Sequence, residues 1–322
     1  MSRLVPIIGH LLQQEQLQND IDLGNVSHAY LFSGPAHIGK HALALRFACD
    51  LLSVDVSDDQ KASVRHSVEK LTHPDLFVLD QLWMAEVQED WDFLAQHSNV
   101  PQAHRQKNKA KTDVIGIDDI RALKQRLYET GIGTYRCCII TSIERMHAEA
   151  ANAFLKMLEE PPQGLVFVLT TQSQGTLLPT VTSRSRILPF SRVAQREMLP
   201  LLEGITEEDR AFIFHLASGA PGMVMRLKND PDFLRLHRTI HSAAQSFWRS
   251  HSLTQRMSLL SPLSKRGEEA ERFLLHLGLA LREQGVHMHP SFVFAFQRFA
   301  RDLSTNAHRQ LLAHRFVLEL FK

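Results

Sequence analysis

The chain has 322 residues, with 36 Lys and Arg against 35 Asp and Glu and a formal net charge of +1. This length suggests two or three domains, and 44% hydrophobic with 22% charged residues excludes a disordered or collagen-like chain. The balanced charge excludes a global field that attracts nucleic acid or an anionic membrane, so any contact with DNA must be local. Three cysteines cannot form a disulfide framework, and no apolar stretch approaches the ~20 residues of a spanning helix. We therefore expect a cytoplasmic protein without a membrane partner.

Short apolar runs alternate with helical patterns over the first 190 residues. The runs that predict buried strands are residues 29–32, 76–79, 137–140, 165–169 and 187–190. Between them, apolar residues repeat at spacings of three and four over residues 117–127 and 146–158, which predicts amphipathic helices. Strands that alternate with helices indicate a parallel sheet with helices on both faces. We predict an α/β domain over residues 1–190.

The remainder of the chain has a helical pattern only. Leucines and phenylalanines recur at helical spacing over residues 273–281 and 311–318. We predict a small helical lid over residues 191–230 and a C-terminal all-α domain over residues 231–322. The polar segment 81–112 fits neither pattern. Because charge runs are usually solvated, we interpret it as a surface insertion, with a DNA-contacting loop as the alternative.

A phosphate-binding loop is the sharpest motif. Residues 34–40 read G-P-A-H-I-G-K, match G-x-x-x-x-G-K, and lie between a predicted strand and a predicted helix. In such loops, glycines let backbone N–H groups surround a phosphate, and the lysine reaches the terminal phosphates. The motif predicts that Gly34, Gly39 and Lys40 form a nucleotide-binding loop; a tight turn without a ligand is the alternative.

The residues that hold Mg²⁺ and activate water in a working ATPase are missing. His41 occupies the position of the Ser or Thr that ligates Mg²⁺, a cation that prefers oxygen ligands. Thr141 and Ser142 stand where two carboxylates are expected, and Glu144 follows two positions late. Neither hydroxyl can act as a general base at neutral pH. We predict weak nucleotide binding without a competent Mg²⁺ site and no required cofactor.

Two longer motifs carry a family resemblance. Residues 150–162 read A-A-N-A-F-L-K-M-L-E-E-P-P and residues 177–185 read L-L-P-T-V-T-S-R-S. In this order and at this separation they resemble the clamp-loader branch of the AAA+ ATPases, as does T-H-P-D at 72–75. The resemblance covers roughly residues 7–226. It implies an AAA+ P-loop fold in a five-subunit DNA polymerase III loader with gamma/tau and delta subunits as partners. Through that complex it implies contact with a ring-shaped sliding clamp and primed DNA.

The resemblance also implies roles for particular residues. Arg184 matches an arginine finger that reaches the ATP of an adjacent gamma/tau subunit; an ordinary surface ion pair is the alternative. Thr171 matches a polar sensor position, with a strand cap as the alternative. The G-A-P-G segment at 219–222 has a glycine where active relatives have an arginine. The missing catalytic groups favour a non-hydrolysing subunit. A weakly active gamma/tau-like ATPase, or a paralogue in another complex, remains open.

No metal site is predicted. Many relatives carry a four-cysteine zinc module, whereas this chain has only Cys49 in that stretch, with His66 and His73 nearby. Two histidine pairs, His237 with His241 and His287 with His289, invite a metal hypothesis. Two imidazoles do not make a catalytic zinc site, which needs a third protein ligand. We therefore expect neither a structural zinc nor a catalytic metal.

Overall fold

The computed structural model describes residues 6–80, 98–100, 114–128, 131–284 and 290–321. The chain divides into two compact units. The first unit runs to Leu201 and includes Gly219–Met223, and the second comprises Leu202–Ser218 and the chain from Val224 onward. Most of segment 81–112, together with His287 and His289, lies outside the described residues. The three-domain division at residues 190 and 230 stays a prediction.

The first unit contains a five-stranded parallel sheet. Its strands are β1 (Ala29–Ser33), β2 (Leu76–Leu79), β3 (Arg136–Ile140), β4 (Leu165–Thr171) and β5 (Arg186–Pro189). They lie in the order β2-β3-β4-β1-β5, and each neighbouring pair is parallel. Each predicted strand is present, because short apolar runs that are buried on both faces are typical of parallel sheets. The predicted α/β fold is confirmed.

Helices cover both faces of this sheet. The helices of the first unit are α1 (Leu11–Asp22), α2 (Lys40–Leu51), α3 (Asp58–Glu69), α4 (Ile117–Leu127), α5 (Ala148–Glu159), α6 (Pro179–Ser183) and α7 (Gln195–Met198). Strand β1 shows why two layers are needed, since its side chains alternate between the faces. Tyr30 and Phe32 belong to a core cluster with residues of α1, α2 and α3. Ala29 and Leu31 belong to a second cluster with residues of α4 and α5.

The second unit is helical throughout its described residues. Its helices are α8 (Glu207–Ala217), α9 (Pro221–Asn229, which starts in the first unit), α10 (Pro231–Arg249), α11 (Leu253–Leu259), α12 (Glu268–Gln284), α13 (Pro290–Leu303) and α14 (Arg309–Glu319). Its core is aromatic, with Phe247, Trp248, Phe299 and Phe316 in one buried cluster. The predicted all-α second half is confirmed. Among the described residues, no helix combines the length and apolar character needed to cross a bilayer.

Candidate functional site

The phosphate loop lies between β1 and α2, as the motif predicts. A Cβ atom on Gly34 would lie 2.3 Å from the Phe190 carbonyl oxygen, so only glycine fits there. Gly39 has a φ of 101°, a left-handed backbone conformation that side chains disfavour. The Gly34 N–H donates to the Thr171 carbonyl oxygen at 3.1 Å, which ties the start of the loop to the end of β4. The two glycines therefore have the close backbone approach and the left-handed conformation that the motif predicts.

Lys40 closes this loop on itself. Its Nζ donates to the carbonyl oxygens of Gly34 at 2.6 Å and Pro35 at 2.5 Å, and the residue is only 9% exposed. Burial lowers the pKa of Lys40 to about 8, although the nearby Glu144 carboxylate acts in the opposite direction. The ammonium must leave these two carbonyl oxygens before it can reach a phosphate. This cost is consistent with weak nucleotide binding.

The residues beside the loop do not fit Mg²⁺. His41 offers an imidazole in the first turn of α2, where the family motif needs a hydroxyl. Thr141 and Ser142 are buried at the end of β3, and Thr141 Oγ1 donates to Asp80 Oδ1 at 2.7 Å. Asp80 follows β2, and β2 lies three strand spacings from β1 in the sheet. Asp80 is therefore ~14 Å across the sheet from the end of β1, where the loop begins. Its carboxylate is too distant to replace the missing ligands.

Glu144 is the carboxylate that interacts with the loop lysine. It lies in a single 3₁₀ turn, Ile143–Arg145, immediately after the end of β3. Its Oε1 accepts from the Gln172 N–H at 3.2 Å. Its Oε2 is buried and forms no hydrogen bond within the described part of the chain. Its charge raises the pKa of Lys40 against the larger effect of burial. A carboxylate is therefore present near the loop, although not at a strand end.

Two further positions were assigned from the family resemblance. The Thr171 hydroxyl is almost fully buried and engaged locally, accepting from the Ser173 N–H at 3.2 Å and donating to the Ser173 carbonyl oxygen at 3.1 Å. This geometry favours the strand-cap alternative. Gly222 donates its N–H to the His37 carbonyl oxygen at 2.8 Å, and a Cβ atom there would lie equally close to that oxygen. The 219–222 segment thus contacts the loop through its backbone.

Arg184 lies at the opposite edge of the sheet from the phosphate loop. It follows α6 and precedes β5 by two residues. The register pairs Arg186 with Tyr30 near the start of β1, whereas the loop follows the end of β1 at Ser33. At ~3.3 Å per residue these positions differ by ~10 Å along the strand direction. Arg184 and the phosphate loop of the same chain therefore lie at opposite ends of the parallel strands.

Arg184 and Arg186 have different environments. Arg184 Nη2 pairs with Glu159 Oε1 at 2.9 Å, and both side chains are partly exposed, at 36% and 49%. Arg186 Nη1 instead contacts both carboxylate oxygens of Asp20 at 2.6 Å. The Asp20 side chain is 8% exposed and also accepts from the Tyr30 hydroxyl at 2.8 Å. The two arginine side chains are similarly exposed, at 36% for Arg184 and 40% for Arg186. They differ in their partners, because Arg186 pairs with a buried carboxylate and Arg184 with an exposed one.

The T-H-P-D segment has a structural role that the sequence analysis missed. Asp75 is 1% exposed and accepts from the backbone N–H groups of Ile132 and Gly133, each at 3.0 Å. Its Oδ1 lies 3.7 Å from Arg136 Nε. The sequence signal for this role was an aspartate directly before an apolar strand. A carboxylate at such a position is buried with the strand, and a buried carboxylate needs hydrogen-bond donors.

The sheet order and the loop after β1 define a P-loop domain of the AAA+ type, with no magnesium-ligand set beside the loop in the described residues. Comparison with known families supports this class. The family model described as "DNA polymerase III, delta subunit" matches residues 10–194, more than half of the chain. The chain belongs to this family, and the clamp-loader resemblance of its motifs is confirmed.

Individual relatives match the same part of the chain. The delta' subunit of DNA polymerase III from Bacillus subtilis is 30% identical over 179 residues, 54% of this chain and 45% of that protein. The delta' subunit from Pseudomonas aeruginosa is 32% identical over 162 residues, which cover 49% of this chain and 41% of that protein. The gamma/tau subunit from Mycobacterium tuberculosis is 28% identical over 193 residues, which cover 59% of this chain and 28% of that protein. The chain thus spans less than half the length of these relatives.

Proposed function

We propose that this chain is a delta-prime-like, non-hydrolysing subunit of the DNA polymerase III clamp loader. It supplies Arg184 as an arginine finger to ATP held by an adjacent gamma/tau subunit. It works in the cytoplasm with gamma/tau and delta, and reaches the sliding clamp and primed DNA through the complex. The observation that carries this proposal is the separation of Arg184 from the chain's own phosphate loop, since Arg184 lies at the other end of the strands with its side chain partly exposed.

The chemistry at Arg184 suits a contribution made across an interface. Negative charge develops on the phosphoryl group during transfer, and a guanidinium that contacts it raises the rate by ~10³–10⁵ in other systems. The Arg184–Glu159 pair is solvent-exposed, and such pairs stabilise a protein by only ~0–1 kcal/mol. Exchanging Glu159 for a phosphate therefore costs little. Until that exchange, the carboxylate holds the guanidinium close to the surface of α5.

The chain's own loop supports the non-hydrolysing half of the proposal. His41, Thr141 and Ser142 supply neither a magnesium ligand of the usual kind nor a general base. Lys40 is hydrogen-bonded within the loop rather than directed outwards. Phosphate can still bind to the backbone N–H groups, because Gly34 and Gly39 keep the conformation that exposes them. Nucleotide binding at this loop is expected to be weak and independent of Mg²⁺.

The test is reconstitution of the complete loader with Arg184→Ala. We expect normal assembly and a loss of DNA-stimulated ATP hydrolysis on the order of 10³ at the contacted site, because the transition-state cation is removed. Arg121→Ala is the matched control, since Arg121 is also exposed and pairs with Asp118 at 3.0 Å. An Arg184→Ala loader that assembles and hydrolyses ATP at the wild-type rate would remove the finger role.

A weakly active ATPase is the second candidate, and Glu144 favours it. Its buried carboxylate interacts with Lys40 and has one oxygen without a hydrogen bond in the described residues, as expected of a group that could orient water. The test is Glu144→Gln in the purified chain. Mg²⁺-dependent hydrolysis by the wild type that is lost in Glu144→Gln would establish this candidate in place of the first. Copurification without gamma/tau and delta would instead indicate a paralogue in another complex.

A further inference from the structure

Three metal-ligating side chains converge inside the second unit. His215 lies on α8, His241 on α10 and Glu283 on α12. His215 Nε2 lies 3.1 Å from Glu283 Oε1, and His241 Nε2 lies 3.0 Å from Glu283 Oε2. One ligand atom from each of the three residues lies within 4.8 Å of the other two. Three separate helices thus direct two imidazoles and one carboxylate towards a common point.

His215 contributes the one ligand atom of this cluster, Nε2, that forms no hydrogen bond to a described residue. Its Nε2 is buried, and although Glu283 is close, no hydrogen bond forms to it or to any other described residue. A buried polar atom without a partner costs free energy, so such an atom calls for an explanation. A nitrogen that faces a carboxylate without sharing a proton with it is suited to bind a cation between the two groups. Hydrogen bonding within the protein alone does not account for its position.

His241 has the surroundings of a metal ligand. Its Nδ1 lies 3.2 Å from His276 Nδ1, and His276 Nε2 lies 2.8 Å from His237 Nδ1. Metal-bound histidines usually donate their second ring N–H to an acceptor, which fixes the tautomer. If His241 donates from Nδ1 to His276, and His276 donates from Nε2 to His237, each contact has one donor and one acceptor. The Nε2 lone pair of His241 then faces Glu283, and Gln245 Nε2 also lies 3.2 Å from this atom. A metal ion bound to His241 would displace the Gln245 amide from Nε2, while Gln245 keeps its hydrogen bond to Glu283.

A neighbouring amide supports the carboxylate of this cluster. Gln245 Nε2 donates to Glu283 Oε2 at 2.9 Å. Carboxylates that bind metal ions are themselves usually hydrogen-bonded, and this second contact orients them towards the ion.

We propose that His215, His241 and Glu283 bind one Zn²⁺-type transition-metal ion, with water in the fourth position. Two histidines and one glutamate are an established zinc ligand set, with metal–ligand distances of about 2.0–2.2 Å. Tetrahedral coordination at these lengths places neighbouring ligand atoms ~3.3 Å apart. Glu283 Oε1 lies 3.1 Å from both His215 Nε2 and His241 Nε2, which is close to this spacing. The ion joins α8, α10 and α12 and stabilises the helical unit.

The site differs from the histidine hypothesis based on sequence. His237 and His241 are four residues apart, but His237 contacts His276 and is not part of the ligand set. Residue 241 lies 26 positions beyond residue 215 and 42 positions before residue 283, so no local spacing signals the site. Only the packing of α8, α10 and α12 brings the three together. The alternative is a hydrogen-bonded histidine network without metal, which the experiment distinguishes.

The experiment measures metal binding by the purified full-length chain after treatment with a chelator. Zn²⁺ is titrated by calorimetry, Co²⁺ by its tetrahedral absorption bands, and the melting temperature is recorded with and without Zn²⁺. We expect one tight equivalent, intense Co²⁺ bands and a higher melting temperature with Zn²⁺. Glu283→Gln and, independently, His215→Ala should each weaken this equivalent by at least ~10-fold, because one ligand is lost.

His314→Ala is the matched control, since His314 is an exposed histidine on α14 of the same unit. It should retain the tight equivalent and the rise in melting temperature. Circular dichroism shows whether each ligand variant is folded. If one of the two ligand variants is unfolded, the metal affinity of the other tests the proposal. The proposal is overturned if the wild type binds no tight equivalent. It is also overturned if a folded ligand variant binds Zn²⁺ as tightly as His314→Ala does. That result would mean that Zn²⁺ binds adventitiously to surface histidines.

Discussion

The two edges of the parallel sheet differ in how they use charged side chains. At the carboxyl-terminal edge, Lys40 is bound to the carbonyl oxygens of its own loop, and the described part of the chain places no usual magnesium ligand beside it. At the amino-terminal edge, Asp75 is buried among hydrogen-bond donors. Arg186 pairs there with the buried carboxylate of Asp20, whereas Arg184 pairs with a carboxylate that is 49% exposed. The loop lysine is therefore held inside its own loop, whereas Arg184 is held by a partner that solvent reaches. The following predictions test that contrast.

The largest expected effect is at Asp75, at the amino-terminal edge. Asp75→Ala leaves Arg136 buried without its carboxylate and two backbone N–H groups without an acceptor. Removing one partner of a buried pair typically costs ~3–5 kcal/mol. We expect a loss of this size in the free energy of unfolding by urea. Asp75→Asn keeps one acceptor oxygen for the backbone N–H groups and should cost less, whereas equal losses would show that these hydrogen bonds contribute little and that the charge dominates.

The second prediction concerns pH and Lys40, at the carboxyl-terminal edge. The pKa of Lys40 is lowered by burial from 10.5 to about 8 in the folded chain. Between these values the unfolded chain holds more protons, so the free energy of unfolding rises with pH. Relative to Lys40→Met, the wild type should gain up to roughly 3 kcal/mol between pH 7 and pH 10.5. A difference that stays constant with pH would show that the ammonium is not buried.

The third prediction separates the two arginines. Arg186→Ala leaves the buried Asp20 carboxylate with the Tyr30 hydroxyl as its one side-chain donor among the described residues, which should cost roughly 1–3 kcal/mol. Arg184→Ala removes an exposed pair and should cost ~0–1 kcal/mol. Urea unfolding of the two variants measures the difference. If Arg184→Ala were the more destabilising change, the arginine would have a structural role and would not be free to act on a partner.

The sequence predicted the fold well where local signals decide it. The five strands and helices α4 and α5 follow from apolar runs and from spacings of three and four, because buried parallel strands and amphipathic helices each leave a short-range pattern. The loop of residues 34–40 was found for the same reason, since its glycines and lysine are consecutive. The family resemblance added Arg184, which no charge or spacing argument separates from Arg186.

Features that depend on tertiary packing could not be predicted. The ion pair between Arg186 and Asp20 joins residues that are 166 positions apart in the sequence. The hydrogen bonds of Asp75 join the residue before β2 to the turn before β3. Lys40 was expected to point at phosphate, yet its contacts within the loop depend on the folded backbone. The cluster of His215, His241 and Glu283 similarly exists only once α8, α10 and α12 are packed.

The most direct test of the central claim is Mg²⁺-dependent ATP hydrolysis by the purified chain alone. Wild type and Lys40→Ala are compared with a loader-associated gamma/tau subunit as the positive control. We predict no release of phosphate above the enzyme-free rate from either form of this chain, because the loop lacks the groups that bind Mg²⁺ and activate water. Turnover by the wild type that Lys40→Ala abolishes would show that the loop is a working active site and would contradict the account.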